Sequence, residues 1–219
     1  MGEYVVIGLG RFGRSLAIEL QAMGNDVIGI DVDRQIVQDT SPFIHEAMEA
    51  DASSEATLAE IGVTNVDAAI VAIGAAENSI LVTMILKKLG VPYVISKASN
   101  DLHGQILQRL GADRVVFPEK ETALRLAHGI SVPEVVDYLS ITPDMGISKL
   151  SVPPSLVGHS LGEAPLEQRF KVRLIAVIRR ERVIFGAPVG EKFAPGDVLI
   201  LSGMDKDLRA LAEPVTGNK

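Results

Sequence analysis

The run Tyr4-Val5-Val6-Ile7-Gly8-Leu9-Gly10-Arg11-Phe12-Gly13-Arg14-Ser15 constrains this chain more than any other stretch. An apolar strand breaks there into a glycine-rich turn and opens a helix, whose apolar positions continue as Leu16, Ile18, Leu20 and Met23. Gly8 allows the tight turn, Gly10 lets a pyrophosphate approach the backbone, and Gly13 permits close packing of helix on strand. The helix N-terminus adds the positive end of its dipole. Asp31 follows at the end of a second strand, Val27-Ile28-Gly29-Ile30-Asp31. An acidic side chain there accepts hydrogen bonds from both ribose hydroxyls and repels a 2′-phosphate. The competing reading is a tight β–α turn that binds nothing, with Asp31 as a solvated helix cap.

From Glu3 to about Val116 short β-type runs alternate with helical patterns, which predicts right-handed βαβ units and a parallel sheet. The expected strands are 4–8, 26–31, 44–49, 67–73, 92–97 and 113–117. Six strands in this order describe a Rossmann-type α/β domain. Its core must come from Val, Ile, Leu and Ala, because 47% of the chain is hydrophobic and only 4% aromatic. Helical patterns after Phe117 run to Gly129 and restart at Pro133 with Val135, Val136 and Leu139, so a helical arm with a kink at 129–133 is expected. From Ile147 the texture changes to runs at 147–152, 172–179, 182–186 and 197–202, with helices near 160–168 and 205–213. Arg180-Glu181 and Pro195-Gly196-Asp197 read as turns. The expected organisation is a nucleotide-binding domain over 1–118, a crossover helix and linker over 119–144, and a small C-terminal α+β domain over 145–219.

Further candidate contacts lie where strands end. Val32 and Arg34 flank Asp33, which reads as the cap of the next helix. Asp51 and Ala52 follow the third strand, beside the expected adenine pocket, and Asp51 reads equally well as a helix cap. Ile73 and Gly74 end a fourth strand that can approach a ligand closely. Lys97 ends the fifth and either reaches a phosphate or is simply solvated. Arg11 places a guanidinium inside the phosphate turn, beside Leu9, Gly10 and Phe12, where it adds a charged fork for further phosphate oxygens. Nucleotides with a terminal phosphate are therefore as well matched as NAD. The helix from Ile80 to Leu89 is apolar on nearly all sides, which hints at a partner subunit.

Several function classes are disfavoured. The four histidines lie in separate segments without metal-ligand spacing, there is no cysteine, and neither a nucleophile elbow nor a Walker lysine occurs. No catalytic residue is expected. Residues 1–144 hold 10 Lys or Arg against 20 Asp or Glu, and residues 145–219 hold 11 against 8. An acidic first part disfavours DNA and RNA. No apolar run approaches the length of a membrane span, and no leader precedes the first strand, so a cytoplasmic protein is expected.

The segments VVIGLGRFG, EADAS, VAIGA, the lysine ending strand five, LGADRVVFPE, SLGE and the later PGD…LIL together resemble the regulatory subunits of bacterial Ktr- and Trk-type potassium transporters. These proteins consist of a TrkA-N (RCK or KTN) domain followed by a TrkA-C domain, and the resemblance, nearest to the KtrA group, covers nearly the whole chain. It implies homodimers assembled into a ring, of octameric size, on the inner face of the membrane beneath a KtrB- or TrkH-like potassium-translocating subunit. It also implies that ATP and ADP compete for the site, with NAD or NADH as the alternative ligand. By motif, Arg11 meets the terminal phosphates, Asp31 the ribose, and Asp51 and Ala52 the adenine. Glu119 matches a glutamate that holds a divalent or sodium cation at the dimer interface; on its own chemistry it is equally a helix-start acid. Some relatives bind cyclic di-AMP between C-terminal domains, but Glu163–Arg169 stands where their basic and asparagine residues lie, so that ligand is not expected.

Overall fold

The computed structural model describes residues 1–132, 134–162, 164, 166–186, 188 and 190–212. Contacts divide the chain into two units, Met1–Glu119 and the chain from Lys120 onward.

The first unit alternates strands and helices: β1 (Glu3–Ile7), α1 (Arg11–Ala22), β2 (Asp26–Asp31), α2 (Arg34–Thr40), β3 (Glu46–Glu49), α3 (Glu55–Ile61), β4 (Ala68–Val71), α4 (Ala76–Leu89), β5 (Val94–Lys97), α5 (Asp101–Arg109) and β6 (Arg114–Val116). All sheet pairings are parallel, in the order β3-β2-β1-β4-β5-β6. Alternating side chains leave the sheet on opposite faces, so each face needs its own helical layer. Val5, Ile7, Ile30, Val71 and Val94 pack with Leu58 of α3 and Val82, Ile85 and Leu86 of α4. Val6, Val27 and Ile70 pack on the other face with Ala17 of α1 and Val37 of α2. Truncating a fully buried leucine such as Leu58 or Leu86 to alanine costs about 2–5 kcal/mol. The strand order reverses between β1 and β4, and such a switch point opens a crevice at the carboxyl ends of the strands.

α6 (Pro118–Ser131) begins at the end of the first unit and continues into the second. The second unit then contains β7 (Val135–Thr142), β8 (Met145–Ser151), α7 (Leu166–Phe170), β9 (Arg173–Arg179), β10 (Arg182–Phe185), β11 (Val198–Met204) and α8 (Asp205–Ala212). Its sheet is antiparallel, in the order β10-β9-β11-β8-β7. Leu150, Val177, Ile184, Leu199 and Leu201 form a core with Leu166 of α7 and with Leu208 and Leu211 of α8. The Pro195-Gly196-Asp197 turn forms as expected, with Gly196 at φ +82°. Asp197 is buried beneath it, bonded by Arg179 at 2.7 and 2.8 Å and by the Ala194 N–H at 2.8 Å.

One expected element is corrected. Helix was expected from Pro133 through Leu139, but Val135–Thr142 is a strand paired with β8. Val, Tyr, Ile and Thr favour a pleated surface, and this pairing decides the outcome. Register shifts at Val135/Asp137 and Ser140/Thr142 break the alternation that would have marked a strand. α6 continues through Gly129 to Ser131. Pro133 itself lies outside the described residues, as do Glu163 and Pro165 of the segment bearing on cyclic di-AMP. The helix expected near 160–168 is the shorter α7.

Candidate nucleotide site

The three fingerprint glycines face three different constraints. Gly8 sits at φ +92° and donates its N–H to the Ile30 carbonyl at 2.8 Å, tying the turn to β2. A Cβ on Gly13 would lie 1.9 Å from the Gly8 carbonyl oxygen, so only glycine lets α1 pack this closely on the strand end. A Cβ on Gly10 would meet nothing within 4 Å. Gly10 instead borders open space, as a backbone approached by a ligand must.

That space is a cavity of about 240 Å³ at the carboxyl ends of β1 to β4. Gly8, Gly10, Asp31, Val32, Asp51, Ala52, Ile73 and Gly74 line it, together with Ala50, Ser53, Asn78 and Val82. Asp31 organises its floor: Oδ2 accepts the Leu9 N–H at 2.6 Å and Oδ1 accepts the Asp33 N–H at 2.9 Å. Each carboxylate oxygen keeps further lone-pair capacity for a ligand hydroxyl. Asp33 caps α2 by accepting the Gln35 and Ile36 N–H groups, as read from the sequence. Asp51 does not cap α3, because Ser54 does so by accepting from Thr57. Hydrogen bonds from Ser53, side chain and then backbone, hold the Asp51 carboxyl below the usual carboxylate range, so it lines the cavity ionised.

The candidate cations lie elsewhere. Arg11, Arg34 and Lys97 are absent from the cavity lining, as are Leu9, Phe12 and Gly13. Leu9 contributes its N–H to Asp31 and buries its side chain among Val6, Ala17 and Val27. Lys97 comes within 6.0 Å of the Phe12 ring centre and pairs with Glu119 at 2.7 Å. Lys97, by hydrogen bond and charge, and Arg11, by charge, hold the Glu119 carboxyl below its ordinary range. Among the described residues no group of three or more His, Asp or Glu could hold a metal ion. A single carboxylate with an ammonium against it does not fit a cation site within one chain.

The TrkA-N domain model matches residues 4–118, and the TrkA-C domain model matches residues 147–216. The chain belongs to this RCK/KTN family. It is 34% identical over 220 residues to Ktr system potassium uptake protein C of Bacillus subtilis, covering 99% of each chain. It is 30% identical over 202 residues to Ktr system potassium uptake protein A of Vibrio alginolyticus, covering 92% of each. Among solved structures, a GsuK channel bound to NAD has the same fold, with a TM-score of 0.67 at 19% identity. That match covers 96% of this chain and 38% of the channel chain, so this chain spans well under half of the channel's length.

Family membership makes this RCK/KTN protein a nucleotide-sensing regulatory subunit of a potassium-transport system rather than an enzyme. Among its described residues no helix is long and apolar enough to cross a membrane. Reading the sequence missed Asn78 and Ser53 as cavity-lining polar residues. For Asn78 a signal existed: it lies in the first turn of α4, just after the strand-ending Gly74.

Proposed function

We propose that the cavity holds the ADP half of NAD or NADH, and that exchange of the bound nucleotide alters the conformation offered to a membrane-embedded potassium-translocating subunit. The observation that carries this reading is Asp31. It closes the fingerprint turn on Leu9 and opens onto a cavity whose lining has two carboxylates and neither lysine nor arginine among the described residues. Such a pocket suits an adenosine with free ribose hydroxyls and disfavours a 2′-phosphate. Support for the dinucleotide comes from the similar channel described as bound to NAD. The partner is of KtrB or TrkH type, and the chain works as a homodimer within an octameric ring on the cytoplasmic face. The exposed Leu81 and Met84 of α4 are apolar surface available for such assembly.

A second reading, ATP against ADP, is favoured by Arg11 and Lys97, which place two cations near the α1 N-terminus. In either case only a difference in affinity between two conformations does work on the pore, and tight but equal binding gates nothing. Thermal-shift titration with NAD, NADH, ATP and ADP separates the readings. Stabilisation by NAD or NADH beyond that by ATP and ADP is expected; the reverse order selects the second reading, and no shift with any of them sinks both.

A further inference from the structure

The first turn of α1 contains Arg11 and Arg14 and no acid. Cations at the positive end of a helix dipole are destabilising unless an anion joins them. Lys97 comes to the same place, its ammonium beside Phe12, the second residue of α1. Its side chain is only 16% exposed, and a mostly buried ammonium needs a counter-charge. Glu119 supplies one at 2.7 Å, and the charges of Lys97 and Arg11 both favour its ionised form. The Lys97 side chain is largely enclosed, whereas that of Glu119 is 70% exposed, so water can take over the carboxylate's solvation more readily than the ammonium's. The carboxylate is therefore the replaceable member of the cluster.

We infer that Glu119 is a built-in counter-anion that competes with the ligand's phosphates for Lys97 and Arg11. The inference rests on the nucleotide reading above and specifies how that site reports its occupancy. A pyrophosphate held at Gly10 and the α1 N-terminus brings two negative charges to the same cations. Lys97 exchanges its carboxylate for phosphate oxygens, and Glu119 is released. Glu119 is the second residue of α6 and the last of the first unit, and the chain passes from it directly into the second. Occupancy is thereby converted into a loosening of the first turn of α6.

The test is calorimetric titration of the full chain with NADH and with adenosine, in chelator, for wild type, Glu119→Gln, Lys97→Met and the double variant. Competition predicts that Glu119→Gln binds NADH about fivefold tighter, the scale of one partly exposed ion pair, with adenosine unchanged. In the Lys97→Met background the same substitution should yield a clearly smaller gain. Hydrogen exchange of residues 118–124 should speed up when NADH binds the wild type. NADH affinity that is unchanged or weaker in Glu119→Gln, with wild-type binding intact, overturns the competition alone. Absence of NADH binding to every variant overturns the nucleotide reading and the competition together.

Discussion

The two halves of the parallel sheet's carboxyl edge solve opposite electrostatic problems. Over β1 to β4 the edge is concave and acidic: Asp31 and Asp51 border a cavity, each held in place by backbone N–H groups. At the end of β5 the edge carries Lys97, paired with Glu119 and close to α1 and its Arg11. The first half can recognise a neutral, hydroxyl-bearing group; the second can recognise only charge. A nucleotide contains both, with adenosine at one end and phosphates at the other. On the reading proposed above, recognition of the adenosine and recognition of the phosphates are separable, being set by different side chains.

The sharpest way to break this comparison is through the glycines that join the two halves. Gly13→Ala forces a Cβ onto the Gly8 carbonyl oxygen and should destabilise the first unit by about 3 kcal/mol or more, read by urea denaturation. Gly10→Ala, with open space around its Cβ, should shift stability by less than about 1 kcal/mol while abolishing nucleotide binding. Equal effects of the two on stability would contradict their assigned roles. Asp31→Ala removes the acceptor of the Leu9 N–H and should cost about 1–3 kcal/mol in stability, together with adenosine affinity. Arg11→Ala should leave stability and adenosine binding nearly unchanged and weaken NADH about tenfold, measured by calorimetry. A parallel loss of adenosine affinity would erase the division between the halves.

The smallest effect is one of pH. His103, in the helix after β5, is buried, accepts the Ser99 N–H at Nδ1, and has an Nε2 without a hydrogen-bond partner among the described residues. Burial pushes its pKa below the ordinary 6.5, so the unfolded chain binds a proton more readily than the folded one. Stability attributable to this residue is complete above about pH 6.5 and declines as the pH falls below it. Thermal melts from pH 7.5 to 5 should show this slope in the wild type and a flatter one in His103→Gln.

The nucleotide-binding sheet was legible in the sequence because both its faces are covered, which forces continuous apolar runs between turns. Gly8 and Gly13 could be assigned their roles from spacing alone, and Asp33 its cap. The second sheet was legible only in part. β7 carries two register shifts, and its buried Val135 and Tyr138 stand at a helical interval, so periodicity pointed to the wrong element. Within the site, spacing along the chain indicated which residues reach the carboxyl edge but not how they pair once there. Lys97 and Glu119 are twenty-two positions apart and meet only because β5 and β6 are neighbours, so their ion pair had no local signature. Asp51 and Ser54 both suit the cap of α3 by sequence, and only the fold assigns that cap to Ser54.

The central claim is that Asp31 holds a ribose with a free 2′-hydroxyl in the acidic half of the edge. Calorimetric titration of the full chain with NADH and NADPH tests it most directly, because the two differ only by the phosphate that Asp31 should repel. NADH should bind at least about tenfold tighter, a difference of about 1.4 kcal/mol. NADPH binding as tightly as NADH, or more tightly, would contradict it.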